Sequence, residues 1–145
     1  VIRLISFKLV QKNITLKTDL SSDLKPVMAD RQLMQEVIMN LLINAIDAVP
    51  EGGLIQIKTA VEGDNILLSV NDQGHGIAPD NLHQIFDPFF TTKKTGEGTG
   101  LGLSISLGIV QAHGGMLDVS STTENGTTFT IQLPVEKINS HKETE

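Results

Sequence analysis

The sequence contains no cysteine, no tryptophan and no tyrosine, and only five phenylalanines among its 145 residues. The absence of cysteine excludes disulfide bonds and thiolate metal sites, and it suits a reducing compartment, so we expect a cytoplasmic domain. No apolar run approaches the roughly 18 residues that a membrane-spanning helix requires, and no signal peptide opens the chain. Because the chain begins at Val1 rather than at methionine, we expect a fragment of a longer protein, whose parent could be anchored in an inner membrane.

Basic residues are scarce as well, since 11 Lys and Arg stand against 17 Asp and Glu and give a formal net charge of −6. No basic patch is interleaved with aromatic side chains, so neither nucleic-acid binding nor direct membrane contact is expected. An acidic domain that binds a polyanion must instead concentrate its few cations at one place. The hydrophobic share of 39% is that of a globular chain, and the length suits one domain.

Hydrophobic periodicity predicts single helices that alternate with β-hairpins. Helical spacing covers 2–10, 31–49, 80–85 and 101–113, and strand-like alternation covers 14–19, 54–61, 65–72, 116–121 and 127–133. Asp30 is the expected N-cap of the second helix, and Gly114-Gly115 the expected C-cap of the last. We predict a two-layer α/β sandwich in which helices cover one face of a mostly antiparallel mixed sheet. This domain would span residues 13–136, with a flexible tail at 137–145.

A polar stripe interrupts the long apolar helix at Glu36, Asn40 and Asn44, and Asp47 lies near it. Asparagine is a mediocre helix former because its side chain competes for backbone hydrogen bonds, so two of them one turn apart suggest a purpose. An Asn carbonyl oxygen is a hard, neutral ligand suited to Mg²⁺, whose remaining positions would be waters and substrate phosphates. The alternative is a solvated helix face, which is the commoner meaning of a polar stripe.

Two glycine-rich segments suggest a nucleotide site. The first, Asp72-Gln-Gly74-His-Gly76, follows a strand, and its Asp could accept a hydrogen bond from the adenine amino group, although a plain turn gives the same pattern. The second, Gly-Glu-Gly-Thr-Gly-Leu-Gly-Leu at 96–103, enters a helix, whose N-terminal N–H groups favour phosphate. A flexible linker fits this second segment poorly. No P-loop is present and no Gly-x-Gly-x-x-Gly follows a strand, so those two nucleotide folds are unsupported.

The segment 86–100 is irregular, and long loops of this kind inside compact domains are usually functional. It contains Phe86, Phe89 and Phe90, which either tether the loop to the core or form the hinge of a lid. Lys93 and Lys94 follow them and are the local cations that an acidic ATP-binding domain would need.

Taken in chain order, these motifs resemble the boxes of sensor histidine kinases. The N, G1, F, G2 and closing glycine boxes are matched by 40–45, 72–77, 86–90, 98–103 and 126–129. The resemblance covers about 28–135 and depends on the order of the boxes, since each alone is weak. The chain is therefore similar to the ATP-binding catalytic domain of these kinases, which belongs to the Bergerat-fold ATPase and kinase superfamily. Asn-Ala-Ile-Asp-Ala at 44–48 and Phe-Phe-Thr-Thr-Lys at 89–93 are more similar to the nitrogen-regulation type.

The resemblance implies a site for ATP and Mg²⁺ between the sheet and the helices, beneath a mobile lid at about 89–100. Asn44 would ligate the metal, Asn40 and Lys93 would complete the catalytic set, and Asp72 would hold the adenine amine. The full set of nucleotide contacts that the resemblance implies is Asn40, Asn44, Asp47, Ala48, Asp72, Gly74, Gly76, Ile77, Phe89, Thr92, Lys93, Lys94, Gly98, Thr99, Gly100, Leu101, Gly102, Leu103 and Thr127.

The resemblance also implies partners. The γ-phosphate would pass to a histidine on the parent's own dimerisation domain, outside this chain, and a response regulator receiver domain would follow. Residues 1–12 would be the end of the incoming helix from that domain, so that the fragment is a monomer and the parent a homodimer. None of His75, His83, His113 and His141 lies in the sequence context of the family's acceptor, so we predict that none is the phosphoacceptor.

Other functions stay open within the same superfamily. Gyrase-type topoisomerases, mismatch-repair ATPases and heat-shock chaperones place a glutamate where this chain has Asn40, and an amide cannot activate water as that glutamate does. Glu36, one turn away, is not assigned that role, so the sequence favours phosphoryl transfer over hydrolysis. A non-catalytic ATP-sensing or partner-binding module and a serine kinase of the anti-sigma type are the remaining alternatives.

Overall fold

The computed structural model describes residues 1–136. The predicted tail at 137–145, and with it His141, lies outside the described residues. The elements in chain order are α1 (Ile2–Gln11), β1 (Thr15–Asp19), α2 (Arg31–Ala48), β2 (Leu54–Glu62), β3 (Asn65–Asp72), α3 (Pro79–Leu82), α4 (Gly102–Ala112), β4 (Met116–Thr122) and β5 (Gly126–Pro134). None of these helices is both long and apolar enough to cross a bilayer.

The strands form one five-stranded sheet in the order β1-β2-β3-β5-β4. Only the β1–β2 pair is parallel among these strands, and the other three pairs are antiparallel. The hairpin of β4 and β5 returns to the centre of the sheet, so β5 lies beside β3 and Asp72 is paired in register with Thr127. The prediction of a mostly antiparallel mixed sheet is confirmed.

The long helix α2 begins where the sequence predicts, because the Asp30 carboxylate accepts a hydrogen bond from the Leu33 N–H at 3.0 Å and so satisfies a free donor of the first turn. Its buried face repeats about every four residues, which is the period of a helix packed on a sheet. The buried side chains of α2 are Val37, Leu41, Leu42, Ala45 and Ile46.

The core lies between the sheet and the helices α1, α2 and α4. Along β2, buried and exposed residues alternate, so one face of the sheet meets the helices and the other meets solvent. The sheet side of the core consists of Ile55, Ile57, Val70, Leu117, Phe129 and Ile131. This arrangement is the two-layer sandwich that the sequence predicts.

The C-terminus of α4 is fixed by its neighbours. Gly114 follows the helix with φ +71°, a left-handed conformation that glycine adopts without strain. His113 donates from Nδ1 to the Ile109 carbonyl at 2.7 Å, so its Nε2 is free to accept the Asp30 N–H at 3.0 Å. These contacts join α4 to the start of α2, so His113 has a structural role.

The helix predicted at 80–85 is shorter than expected. Only Pro79–Leu82 is helical, and the chain then continues through turns in which Gln84 and Asp87 each donate their N–H to the carbonyl three residues earlier. Bonds of this tighter kind do not extend into a regular helix, so the segment stays irregular up to α4.

Candidate nucleotide-binding site

A cavity of about 1030 Å³ opens between α2, the end of β3, the irregular segment and the start of α4. Its volume is that of a site for a sizeable small molecule. Most of the residues predicted to contact nucleotide line it: Asn40, Asn44, Asp47, Ala48, Asp72, Gly76, Ile77, Thr92, Lys93, Gly98, Thr99, Gly100, Gly102, Leu103 and Thr127. Motifs up to 87 residues apart in the chain therefore meet at one place.

Asp72 is the buried acid of this cavity, with 3% of its surface exposed. Burial raises the pKa of the Asp72 carboxyl, while hydrogen bonds from the backbone of Gly74 and Thr127 and the nearby His75 act in the opposite direction. The Gly74 N–H donates to Oδ1 at 2.9 Å. A carboxylate fixed in this way can accept a further hydrogen bond from an amino group in the cavity.

The two glycines after Asp72 are required by close backbone contacts. A side chain at Gly74 would place its Cβ 2.5 Å from the Ala48 carbonyl oxygen, at the end of α2. Gly76 has φ +69°, and a Cβ there would overlap the Thr122 carbonyl. Glycine therefore lets this loop lie flat between α2 and β4, so that the cavity keeps its opening beside Asp72.

The two asparagines of α2 differ in role. Asn40 donates from Nδ2 to the Ser106 hydroxyl at 3.3 Å and to the Gly102 carbonyl at 3.5 Å, which ties the first turn of α4 to α2. Asn44 lies one turn further along, half-buried and lining the cavity. The Asn40 amide thus holds the two helices together, and its place in the catalytic set stays a prediction.

The N-terminus of α4 faces the cavity through Gly100, Gly102 and Leu103. The first N–H groups of any helix have no intrahelical partner. In α4 no side-chain cap from the described residues accepts from them, so they are free to bind a ligand. Such a terminus favours an anion. The glycine-rich segment before it is compact, because the Leu101 N–H donates to the Thr99 hydroxyl at 3.3 Å.

The irregular segment is closed at its base by a hydrogen bond from the Phe89 N–H to the Gly100 carbonyl at 2.8 Å. Both residues have positive φ, +67° for Phe89 and +70° for Gly100. Phe86 packs edge-on against Phe129 with ring centroids 6.5 Å apart, and Phe90 lines the cavity. Phe86 and Phe90 thus tether the segment, whereas Phe89 is 74% exposed.

Lys93 reaches back across the cavity to α2, where its Nζ lies 2.6 Å from the Asp47 carboxylate. Gly74, Phe89, Lys94 and Leu101 were also predicted as nucleotide contacts, but they do not line the cavity. Gly74 and Leu101 shape its walls through the backbone contacts described above, and Lys94 is exposed.

The cavity is also lined by residues that were not among the predicted nucleotide contacts: Lys12, Ile43, His75, Ala78, Asn81, Ile85, Phe90, Thr91, Glu97, Thr123 and Phe129. Phe90 belongs to the motif at 86–90, so its contact with the cavity was predictable from the sequence. Lys12 has no local signal, because its contact with the end of α2 depends on tertiary structure.

The residues present fit a nucleotide with Mg²⁺. Asn44 offers a neutral oxygen of the kind Mg²⁺ accepts, and Mg²⁺ normally takes only one or two protein ligands beside phosphate oxygens and water. Within residues 1–136 no cluster of three or more His, Cys, Asp or Glu could hold a metal ion by itself. Asp72 at one side and the open terminus of α4 at another match an amino-bearing base and its phosphates.

Residues 29–137 match the family described as "Histidine kinase-, DNA gyrase B-, and HSP90-like ATPase". Because the match spans most of the chain, the chain belongs to this family. Sensor kinase CckA of Brucella abortus (strain 2308) is 43% identical over 148 residues, which cover 92% of this chain and 16% of CckA. Sensor histidine kinase ZraS of Escherichia coli (strain K12) is 40% identical over 134 residues, which cover 92% of this chain and 28% of ZraS. The chain thus spans less than a third of each relative.

Solved structures of histidine kinases are similar to this chain as well. The nucleotide-free catalytic domain of histidine kinase ThkA has a TM-score of 0.82 at 36% identity and covers 92% of this chain, which in turn covers 86% of that domain. ThkA in complex with its response regulator protein TrrA gives a TM-score of 0.79 at 32% identity, over 93% of this chain and 38% of that one. Within the family, the chain is thus a catalytic domain of the sensor histidine kinase type, as its boxes predict.

Proposed function

We propose that this chain binds ATP with Mg²⁺ and transfers the γ-phosphate to a histidine on a dimerisation domain outside residues 1–145. The observation that carries the proposal is the meeting of Asp72, Asn44 and the open N-terminus of α4 at one cavity. These groups offer an acceptor for an amine, a metal ligand and an anion site. The predicted nucleotide contacts at Gly74, Phe89, Lys94 and Leu101 stay part of this proposal as residues that shape or cover the site.

In this reaction the chain itself would bind ATP and orient its γ-phosphate toward the acceptor histidine. The Asp72 carboxylate would accept from the adenine amino group and fix the base. The free N–H groups of α4 would hold phosphate oxygens, and Asn44 would hold Mg²⁺, which when bound supplies the positive charge that phosphoryl transfer requires. A neutral imidazole of the acceptor would then form a bond to the γ-phosphorus while the bond to the β–γ bridging oxygen breaks, and ADP leaves.

Transfer is favoured over hydrolysis because the position one turn before Asn44 carries an amide. Asn40 already donates to Ser106 and Gly102, and it has no proton acceptor of the strength needed to activate water. Glu36 is exposed and does not line the cavity. A water molecule near the phosphates would therefore lack a base among these side chains of α2.

The proposed activity also implies partner proteins and domains. A response regulator receives the phosphate in our proposal, supported by the structural likeness to ThkA bound to its response regulator TrrA. We place the domain in the cytoplasm, take residues 1–12 as the link to the dimerisation domain, and expect the isolated chain to be a monomer and its parent a homodimer. The nitrogen-regulation subtype stays a prediction.

The test is phosphotransfer in trans. The chain is mixed with a dimerisation-domain fragment of its parent and ATP labelled at the γ-phosphate, with Mg²⁺ or with a chelator. We expect label on the added fragment, stable to base and labile to acid as phosphohistidine is, and only when Mg²⁺ is present. Nucleotide binding without any transfer would favour an ATP-sensing module, and label on His75, His83 or His113 of the chain itself would contradict the proposal.

A further inference from the structure

The charges that line the cavity do not suit a free polyphosphate. Asp47, Asp72 and Glu97 are the lining carboxylates, whereas Lys12 and Lys93 are the lining lysines. Within the described residues, acidic side chains therefore outnumber lysines around this cavity, and both lysines already have partners. The free N–H groups of α4 can balance part of the negative charge of a phosphate, but neither lining lysine is free to neutralise the rest. A polyphosphate must therefore bring a cation with it or displace an existing contact of a lysine.

Lys12 is committed to the end of α2. Its Nζ donates to the carbonyls of Ile46 at 2.7 Å and Val49 at 2.8 Å, which belong to the last turn, where helix carbonyls lack an intrahelical partner. A cation is also favoured at a helix C-terminus. Releasing Lys12 toward a ligand would leave these half-buried carbonyls unpaired, so it is a poor source of charge for phosphate.

Lys93 is held more loosely. It is paired with Asp47 at 2.6 Å, and the two side chains are 32% and 41% exposed. Ion pairs with this much access to water contribute little to stability, so a phosphate can exchange with the carboxylate as the partner of Lys93. Asp47 lies three residues after Asn44, on the same side of α2, which puts its negative charge beside the proposed metal ligand.

We propose that Asp47 is a specificity-determining residue that favours a nucleotide carrying a divalent cation over the free nucleotide. This inference depends on the proposed nucleotide site. Asp47 repels phosphate oxygens that arrive without a cation, and it keeps Lys93 occupied until they arrive. A cation on the phosphates turns the repulsion from Asp47 into attraction and frees Lys93 for the oxygens. Binding of the divalent cation and release of Lys93 are therefore coupled through the Asp47 carboxylate.

The test compares the affinity for ADP in Mg²⁺ and in a chelator, measured by titration calorimetry on the full chain. For Asp47→Asn we expect the affinity in chelator to rise roughly three- to tenfold, because one close negative charge is removed, while the affinity in Mg²⁺ rises less or falls. The ratio of the two dissociation constants therefore moves toward one. Asp118→Asn is the matched control, since it removes the same charge from an exposed site on β4 outside the cavity.

A second variant separates the contribution of the lysine. In Lys93→Met, the additional change Asp47→Asn should still raise the affinity in chelator, but by less than in the wild-type background, because no lysine is released. Equal ratios in Asp47→Asn and Asp118→Asn would overturn the inference and leave the nucleotide site intact. Loss of affinity in both conditions, in Asp47→Asn and Asp47→Ala alike, would also overturn it. Wild-type chain that binds no ADP in either condition would refute the proposed function itself.

Discussion

The substitution Asp72→Asn tests the proposed hydrogen bond between the adenine amino group and the Asp72 carboxylate. Asp72 is 3% exposed, and the Gly74 N–H donates to its Oδ1 at 2.9 Å. Asparagine keeps the shape but has one oxygen in place of two. One donor, from the backbone or from adenine, must then face the amide NH₂ group.

The magnitude follows from the kind of bond that is lost. A hydrogen bond to a charged group contributes about 1.5–3 kcal/mol, which corresponds to a loss of roughly 10- to 150-fold in affinity. We therefore expect the dissociation constant for ADP to rise by this factor in Asp72→Asn. The affinity for GDP should not fall, because guanine presents a carbonyl at the position of the adenine amine, and a carbonyl gains from the added donor.

Titration calorimetry with ADP and GDP measures both effects, and thermal unfolding without nucleotide confirms that the variant is folded. Asp64→Asn, in the exposed turn between β2 and β3, controls for the change in net charge. An affinity for ADP within twofold of wild type would remove Asp72 from the site. An equal loss for ADP and GDP would show that Asp72 supports the cavity without reading the base.

Three further outcomes are expected. Asn44→Ala should lower the affinity for ADP in Mg²⁺, measured by calorimetry, by at least about tenfold, because loss of even a residue that supports a metal ligand costs about 10- to 100-fold in metal affinity. The affinity in chelator should stay unchanged. Phe129→Ala should lower the free energy of unfolding in urea by about 3–5 kcal/mol, whereas exposed Phe89→Ala should change it by less than about 0.5 kcal/mol. Because burial raises the pKa of Asp72 above its ordinary 3.8, the folded chain holds this proton more tightly, so the contribution of Asp72 to stability should fall as pH rises from 3.8 through the raised pKa. Asp72→Asn, compared with wild type in urea across this range, should lack that decline.

The sequence predicts the fold well because its local signals agree with the packing. Asp30 is the predicted N-cap of α2 and is its N-cap in the structure. The four-residue spacing of Val37, Leu41 and Ala45 marks the face of α2 that packs on the sheet. The turn before β5 is equally local, because Gly126 needs its positive φ of +79°. Where the pattern was weak, as at 80–85, short-range turns replaced the expected helix.

The site was predictable only in part. Asp72 and Asn44 were predictable because a carboxylate and an amide in these motifs are suited to binding adenine and Mg²⁺. The glycines of the motifs were predictable as well, and the structure shows that close backbone contacts require several of them. Lys12 could not be predicted, since its partners Ile46 and Val49 are more than 30 residues away in sequence. The pairing of Lys93 with Asp47 likewise depends on how an irregular loop folds back on a helix, for which the sequence contains no periodic signal.

The measurement that tests the central claim most directly is calorimetric titration of this chain with ADP and a non-hydrolysable ATP analogue, with GDP as control, in Mg²⁺ and in chelator. We predict binding that is selective for adenine and stronger in Mg²⁺, since in our proposal Asp72 would accept a hydrogen bond from the adenine amino group and Asn44 would hold the cation. No binding of any adenine nucleotide at millimolar concentration would contradict the account and leave the cavity without its proposed ligand.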